Sequence, residues 1–232
     1  MYWYDPTYIL ILIGVVISAI ASARVNSTYN KYSRVRSMSG MTGAEAAERI
    51  LHMAGIYDVQ ITRISGNLTD HYDPTRKVLR LSDAVYGQYS VAAIGVAAHE
   101  CGHAIQHHRG YVPLSLRSSI VPVANLGSQL SWPLFLIGLM INGNTGYTFM
   151  MAGIALFSLA LLFQLITLPV EFNASSRAVR ILGETGILRA DELPYTKKVL
   201  NAAALTYVAA ALSSVLQLLR LIILSNGRRR DD

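Results

Sequence analysis

From Thr148 to Leu168 the chain carries no charged side chain and few polar ones. About 20 consecutive apolar residues match the hydrocarbon core of a bilayer, so a run of this kind points to a transmembrane helix. Three more apolar runs accompany it: Tyr8 to Ala23, about Ser118 to Ile141, and Val199 to Leu224. The overall composition agrees: 52% of residues are hydrophobic and 15% charged, against about a quarter charged in soluble domains. The formal net charge of +6 suits loops that face anionic lipid. No aromatic–basic RNA motif, zinc finger or helix-turn-helix pattern accompanies it, which argues against nucleic acid as a partner.

The flanking charges orient these runs. Tyr8–Ala23 is slightly short for a span, with Trp3 and Tyr4 placed to act as an interfacial belt. Residues 1–7 contain no Lys or Arg, so the run reads as an uncleaved anchor and not as a signal peptide. Arg24, Lys31, Arg34 and Arg36 follow at once, and the positive-inside rule places them in the cytoplasm. The second and third runs form a hairpin whose outer loop, Asn142–Tyr147, has no Lys or Arg. Pro122, Asn125, Gln129 and Pro133 make its first arm a helix expected to pack on protein, with a kink. The last run is open to two readings. If it spans, Arg228–Arg230 lie outside, against the rule; if it lies in the interface or on the domain, the conflict disappears.

Five segments result: an anchor at 1–24, a cytoplasmic domain at 25–117, a transmembrane hairpin at 118–168, a polar segment at 169–198, and an apolar helix with a basic tail at 199–232. The expected fold is an α-rich integral membrane protein, in which transmembrane helices carry a small α+β domain. Within that domain Thr42–Met53 reads as a helix with a capping box, Thr42 to Glu45. Asp58–Ile64 and Lys77–Ser82 read as strands, Gly66–Pro74 as a loop, and Ser90–His108 as an Ala-rich helix. The single cysteine, Cys101, cannot form an intramolecular disulfide, which fits a cytoplasmic site. The sequons at Asn26 and Asn67 are expected to be silent there.

The chemistry concentrates in Ala98-His99-Glu100-Cys101-Gly102-His103. Helical positions i and i+4 share a face, so His99 and His103 can offer two imidazole nitrogens to one metal ion. Glu100 borders the same site and can act as general base toward a metal-activated water, the metalloprotease pattern. A catalytic zinc takes three protein ligands and leaves one position open. His107 lies a turn too far along the helix, and His108, His71 and His52 read as surface residues. Glu171 is the better third ligand. It follows the second hairpin arm and Pro169, so a helix starting there returns its carboxylate to the face from which the hairpin left.

With Glu171 in a Glu-Phe-x-Ala setting after an apolar hairpin, the pattern resembles the membrane gluzincins related to HtpX and the CAAX prenyl proteases. In that group an Asp stands four residues after the ligand Glu and supports a zinc-binding His. This chain has Ser175 there, which keeps a hydrogen bond but not the charge. A closer resemblance, over nearly the whole chain, is to the YugP-type neutral zinc metallopeptidases of bacterial membranes. It is carried by Ala98–Gln106, Pro169–Ala178 and Val199–Ala211. That resemblance implies one zinc ion per chain, peptidase activity and a bacterial plasma-membrane location.

Arg177 and Tyr207 are the candidates for a second donor to the tetrahedral oxyanion. The Lys77–Ser82 strand, which precedes the motif helix, is the candidate edge for an extended substrate. The site should lie close to the cytoplasmic membrane surface, with membrane proteins or membrane-proximal segments as substrates. The rival reading is a metal-binding membrane protein without proteolysis, a sensor or pseudoenzyme. An intact Glu100 argues against it, because a site that only binds metal needs no base.

Overall fold

A computed structural model describes residues 5–231, and the side chains of residues 5–227. Trp3 and Tyr4, expected as an interfacial belt, lie outside the described residues. In chain order the elements are α1 (Tyr8–Tyr32), α2 (Gly43–Met53), β1 (Gln60–Ile64), β2 (His71–Asp73), β3 (Val78–Ser82), α3 (Val91–His108), α4 (Val112–Met140), α5 (Gly143–Glu184) and α6 (Leu193–Asp231). They divide into two compact units. One comprises Met1–Ala21, Leu116–Leu168 and Thr206–Asp232; the other comprises Ser22–Ser115 and Pro169–Leu205.

The first unit is helical. Among the described residues, α1, α4, α5 and α6 are each long and apolar enough to cross a membrane. A helix satisfies its own backbone polar groups, which is what a spanning segment must do. Arms α4 and α5 approach closely through small residues. A Cβ on Gly127 would come within 2.8 Å of Leu156 O, and one on Gly153 within 2.7 Å of Ser131 O. Such backbone-to-backbone packing is how helices associate where no hydrophobic force separates them from lipid. Helix α4 runs unbroken through Pro122 and Pro133. Its Val123, Leu126 and Leu130 stay exposed, so this arm packs on protein along one face only.

Helices α1 and α6 run antiparallel. Ser213 Oγ donates to Gly14 O at 3.0 Å and lies 3.0 Å from Ser18 Oγ. Nearer the chain termini, Arg220 Nη2 donates to Asp5 Oδ2 at 2.9 Å and its Nε to Thr7 Oγ1 at 3.2 Å. The guanidinium also lies over the Tyr8 ring, 4.7 Å from its centroid. A buried charge in an apolar helix therefore has a carboxylate, a hydroxyl and an aromatic face, the compensation such a residue requires.

The second unit is built around α3. The capping box at the start of α2 is formed: Glu45 N donates to Thr42 Oγ1 at 3.1 Å, and Thr42 N to Glu45 Oε2 at 2.7 Å. The face it presents, with Ala46, Ala47, Ile50 and Leu51, packs with Ala93, Ala97 and Cys101 of α3 in one hydrophobic core. Leu79 and Leu81 of β3 join it. Ser90 caps α3 by accepting from Ala93 N at 3.1 Å. Thr196 of α6 donates to Val91 O at 2.9 Å, and Gly95 leaves room for its methyl group.

The sheet has the order β1-β3-β2, with β1 parallel and β2 antiparallel to β3. This corrects the expectation that the Lys77–Ser82 strand offers its edge to a substrate. Strand β3 is central, and both its edges are taken. The neighbour that occupies one of them, β2, is a short strand inside the segment that reads as a loop.

Candidate metal centre

Helix α3 brings His99 and His103 one turn apart, with ring centroids 4.8 Å from each other and planes at 85°. Glu171 comes from α5, and its approach depends on two small residues. Gly102 faces Ala174 so closely that a Cβ there would lie 2.8 Å from Ala174 O. Val170, Ala174 and Ala178 are fully buried on the same side of α5. One turn before Ala174, Glu171 points at the histidine pair. Its Oε2 lies 3.3 Å from His99 Nε2 and 3.6 Å from His103 Nε2. The three donor atoms fall within 4.8 Å of one another.

The outer nitrogens of both rings are held. His103 Nδ1 lies 3.0 Å from Gln106 Oε1. The Gln106 amide is itself oriented, because its Nε2 donates to Val170 O at 2.9 Å and to Asn173 Oδ1 at 3.0 Å. Both amide hydrogens are thus committed, and the oxygen is left for His103. Nδ1 must then carry a proton, so that the neutral ring presents its Nε2 lone pair inward. His99 Nδ1 lies 3.1 Å from Ser175 Oγ, the hydroxyl at the position where HtpX-related proteins carry an Asp.

Electrostatics fit a cation-binding pocket. Burial alone would raise the Glu171 carboxyl, but hydrogen bonds and charge from His103 and His99 outweigh it and hold the group below the usual carboxylate range. Burial would lower His103, yet its hydrogen bond to Glu171 and the charges of Glu100 and Glu171 raise it. A proton on His103 thus offsets the charge of the buried carboxylate, and a metal ion can replace it. Glu100 is buried and makes no hydrogen bond or ion pair with the described residues. Burial, reinforced by the charge of Glu100, pushes the Cys101 thiol up, so it stays protonated and inert.

Arg177 donates from Nε to Asn173 Oδ1 at 2.6 Å and lies over the Tyr111 ring. It therefore props the Gln106 network. Tyr207 is a residue of the first unit, on α6. His107 Nδ1 pairs with Tyr72 OH at 2.9 Å, His71 bonds Thr69 O and Arg80, and His52 stacks on Tyr57. Sequence reasoning gave no role to Gln106 or Asn173. Gln106 is three residues past His103, on the same helical face, and that spacing was the available signal.

A family model described as "Putative neutral zinc metallopeptidase" matches residues 7–226. The chain belongs to this metallopeptidase family. A Bacillus subtilis (strain 168) protein described as "Putative membrane protease YugP" is 53% identical over 209 residues, covering 90% of this chain and 92% of the relative. No solved structure matches.

The donor set fits the metal that the family name implies. Two imidazoles and one carboxylate are a zinc set. In a tetrahedral site with bonds of about 2.0–2.1 Å, donors stand roughly 3.3 Å apart. The two histidine–Glu171 separations here are 3.3 and 3.6 Å.

Proposed function

We propose that the protein is a zinc-dependent membrane endopeptidase of gluzincin type. The arrangement that carries the reading is Glu171 Oε2 facing both His Nε2 atoms while Gln106 and Ser175 hold both Nδ1 atoms. His99, His103 and Glu171 hold one zinc ion. When bound, zinc supplies a Lewis acid and lowers the pKa of a coordinated water. Glu100 takes a proton from the attacking water as oxygen adds to the peptide carbonyl carbon. It then delivers that proton to the amide nitrogen as the C–N bond breaks. Replacing Glu100 with Gln keeps the zinc and lowers turnover by about 10²–10⁴-fold. Turnover unchanged in Glu100→Gln would remove the base from the account.

The second unit reads as zincin-like, with the motif helix α3 beside a sheet whose antiparallel edge strand is β2. The contact between Tyr72 of β2 and His107 supports β2 as the strand that receives an extended substrate. A photoreactive peptide substrate should label residues 71–73; labelling of β1 instead contradicts this.

The site lies near the membrane surface on this reading. Glu171 is three residues beyond Leu168 in the same helix, a rise of about 4.5 Å. The basic residues after α1 and the uncharged 142–147 loop support a cytoplasmic second unit in a multi-pass protein of the bacterial plasma membrane. Membrane-tethered polypeptides should be cleaved faster than the same sequences in soluble form; equal rates contradict the placement. The buried Cys101 leaves thiol labelling clean. In intact cells an impermeant maleimide should reach Asn144→Cys and not Tyr57→Cys; the reverse pattern inverts the topology.

A further inference from the structure

A second polar site lies away from the zinc ligands, where α1 and α6 pass between polar and apolar sequence. A pocket of about 480 Å³ opens there, within the second unit. Arg24, Lys31 and Lys198 line it, with Ser27, Thr28 and Asn201 between them. No carboxylate lines it, and none of the three cations has a carboxylate partner among the described residues. Lys31 instead leans on the ring of Tyr32, 5.5 Å from its centroid. Three uncompensated cations around one concavity repel each other, so an anion placed among them gains from all three.

The position says which anion. Arg24 is the first charged residue after the apolar run of α1, and Lys198 is the last before the uncharged stretch that begins at Val199. Ala202 and Leu205 supply an apolar side to the same pocket. A cationic cup with an apolar side, at the level where two helices change from polar to apolar sequence, matches a lipid with an anionic headgroup and acyl chains. A guanidinium and two ammonium groups suit a phosphodiester, whose free oxygens accept charge-assisted hydrogen bonds. Ser27, Thr28 and Asn201 add neutral donors. Pockets of this size commonly hold small molecules.

We propose that Arg24, Lys31 and Lys198 form a binding site for the phosphate headgroup of an anionic phospholipid. The site rests on membrane residence and on no catalytic step, so the peptidase reading can fail without it. Bound lipid ties the end of α1 to the start of α6, and stabilises the folded protein by linkage.

The test is thermal unfolding of the full-length protein in an uncharged detergent, with phosphatidylglycerol, phosphatidylcholine or inorganic phosphate added. Phosphatidylglycerol should raise the Tm by about 5 °C or more, and phosphatidylcholine should not. The triple variant Arg24→Gln/Lys31→Gln/Lys198→Gln should lose that shift. A charge-matched control, Arg49→Gln/Arg76→Gln/Lys197→Gln, should keep it. If the triple variant does not purify folded, Lys198→Glu alone is read the same way. Equal shifts with both lipids, or a shift that survives removal of the pocket cations, overturn the proposal. A full shift with inorganic phosphate alone makes the ligand a soluble anion and overturns the lipid assignment.

Discussion

Gln106 Oε1 faces His103 Nδ1 at 3.0 Å, and the Gln106 amide nitrogen is tied to the backbone and side chain of α5. One residue thus fixes the tautomer of a zinc-facing histidine and also couples its helix to the helix that brings Glu171. Groups that orient a metal-bound histidine typically contribute 10–100-fold to metal affinity. Gln106→Leu should weaken zinc binding by about that factor in competition with a chelator. Glu at the same position should restore only part of it, because a carboxylate accepts from Nδ1 but cannot donate to Val170 O or Asn173 Oδ1. Wild-type affinity in Gln106→Leu would mean that the network holds nothing the metal needs.

Ser175 makes the matching contact to His99 without a charge. Ser175→Asp should tighten zinc binding, since an anionic acceptor raises the basicity of the ring, while Ser175→Ala should loosen it. The same chelator competition reads both, and the two variants moving in one direction would contradict the role.

Close approach of α3 and α5 at Gly102 and Ala174 places the third ligand. A Cβ at Gly102 meets a backbone oxygen at 2.8 Å, not a flexible side chain. Gly102→Ala should therefore cost about 1–3 kcal/mol of stability, and Gly102→Val should lose zinc as well. Thermal unfolding and zinc content measured on the same samples check this; a Gly102→Val variant with wild-type zinc would place the hinge of the site elsewhere.

The pH dependence of the metal-free protein follows from two opposite shifts. Glu171 is held below its usual range, so its stabilising effect is present above about pH 4.3 and is lost as pH falls through its folded value. His103 is raised, so its effect is complete below about pH 6.5 and is lost as pH rises through its folded value. Metal-free protein should be most stable between these limits. Zinc binding should strengthen with rising pH, because protons compete for the histidines. Thermal melts of chelator-treated and zinc-loaded protein from pH 4 to 8 test both signs; the same optimum in both would contradict the exchange of proton for metal.

Much of this arrangement is legible in the sequence because it is local. The capping box at Thr42 and Glu45, the i, i+4 pair of histidines, the Ala-rich face of α3 and the apolar runs each declare themselves within one helix. What escapes depends on partners distant in the chain. Strand β2 has three residues and exists because β3 lies beside it, so its own segment reads as a loop and β3 reads wrongly as an edge. Gln106 and Asn173 ligate no metal, and their role appears only when α3 and α5 are packed. The pairing of Arg220 with Asp5, almost a chain length apart, aligns α6 with α1 and has no signal in either local sequence.

The central claim is a zinc ion held by His99, His103 and Glu171. Zinc per chain should be measured on wild type and Glu171→Ala, purified in mild detergent. The account predicts about one zinc in wild type and a large loss in the variant, as for a site reduced from three protein ligands to two. Full zinc in Glu171→Ala, or none in wild type, would contradict it.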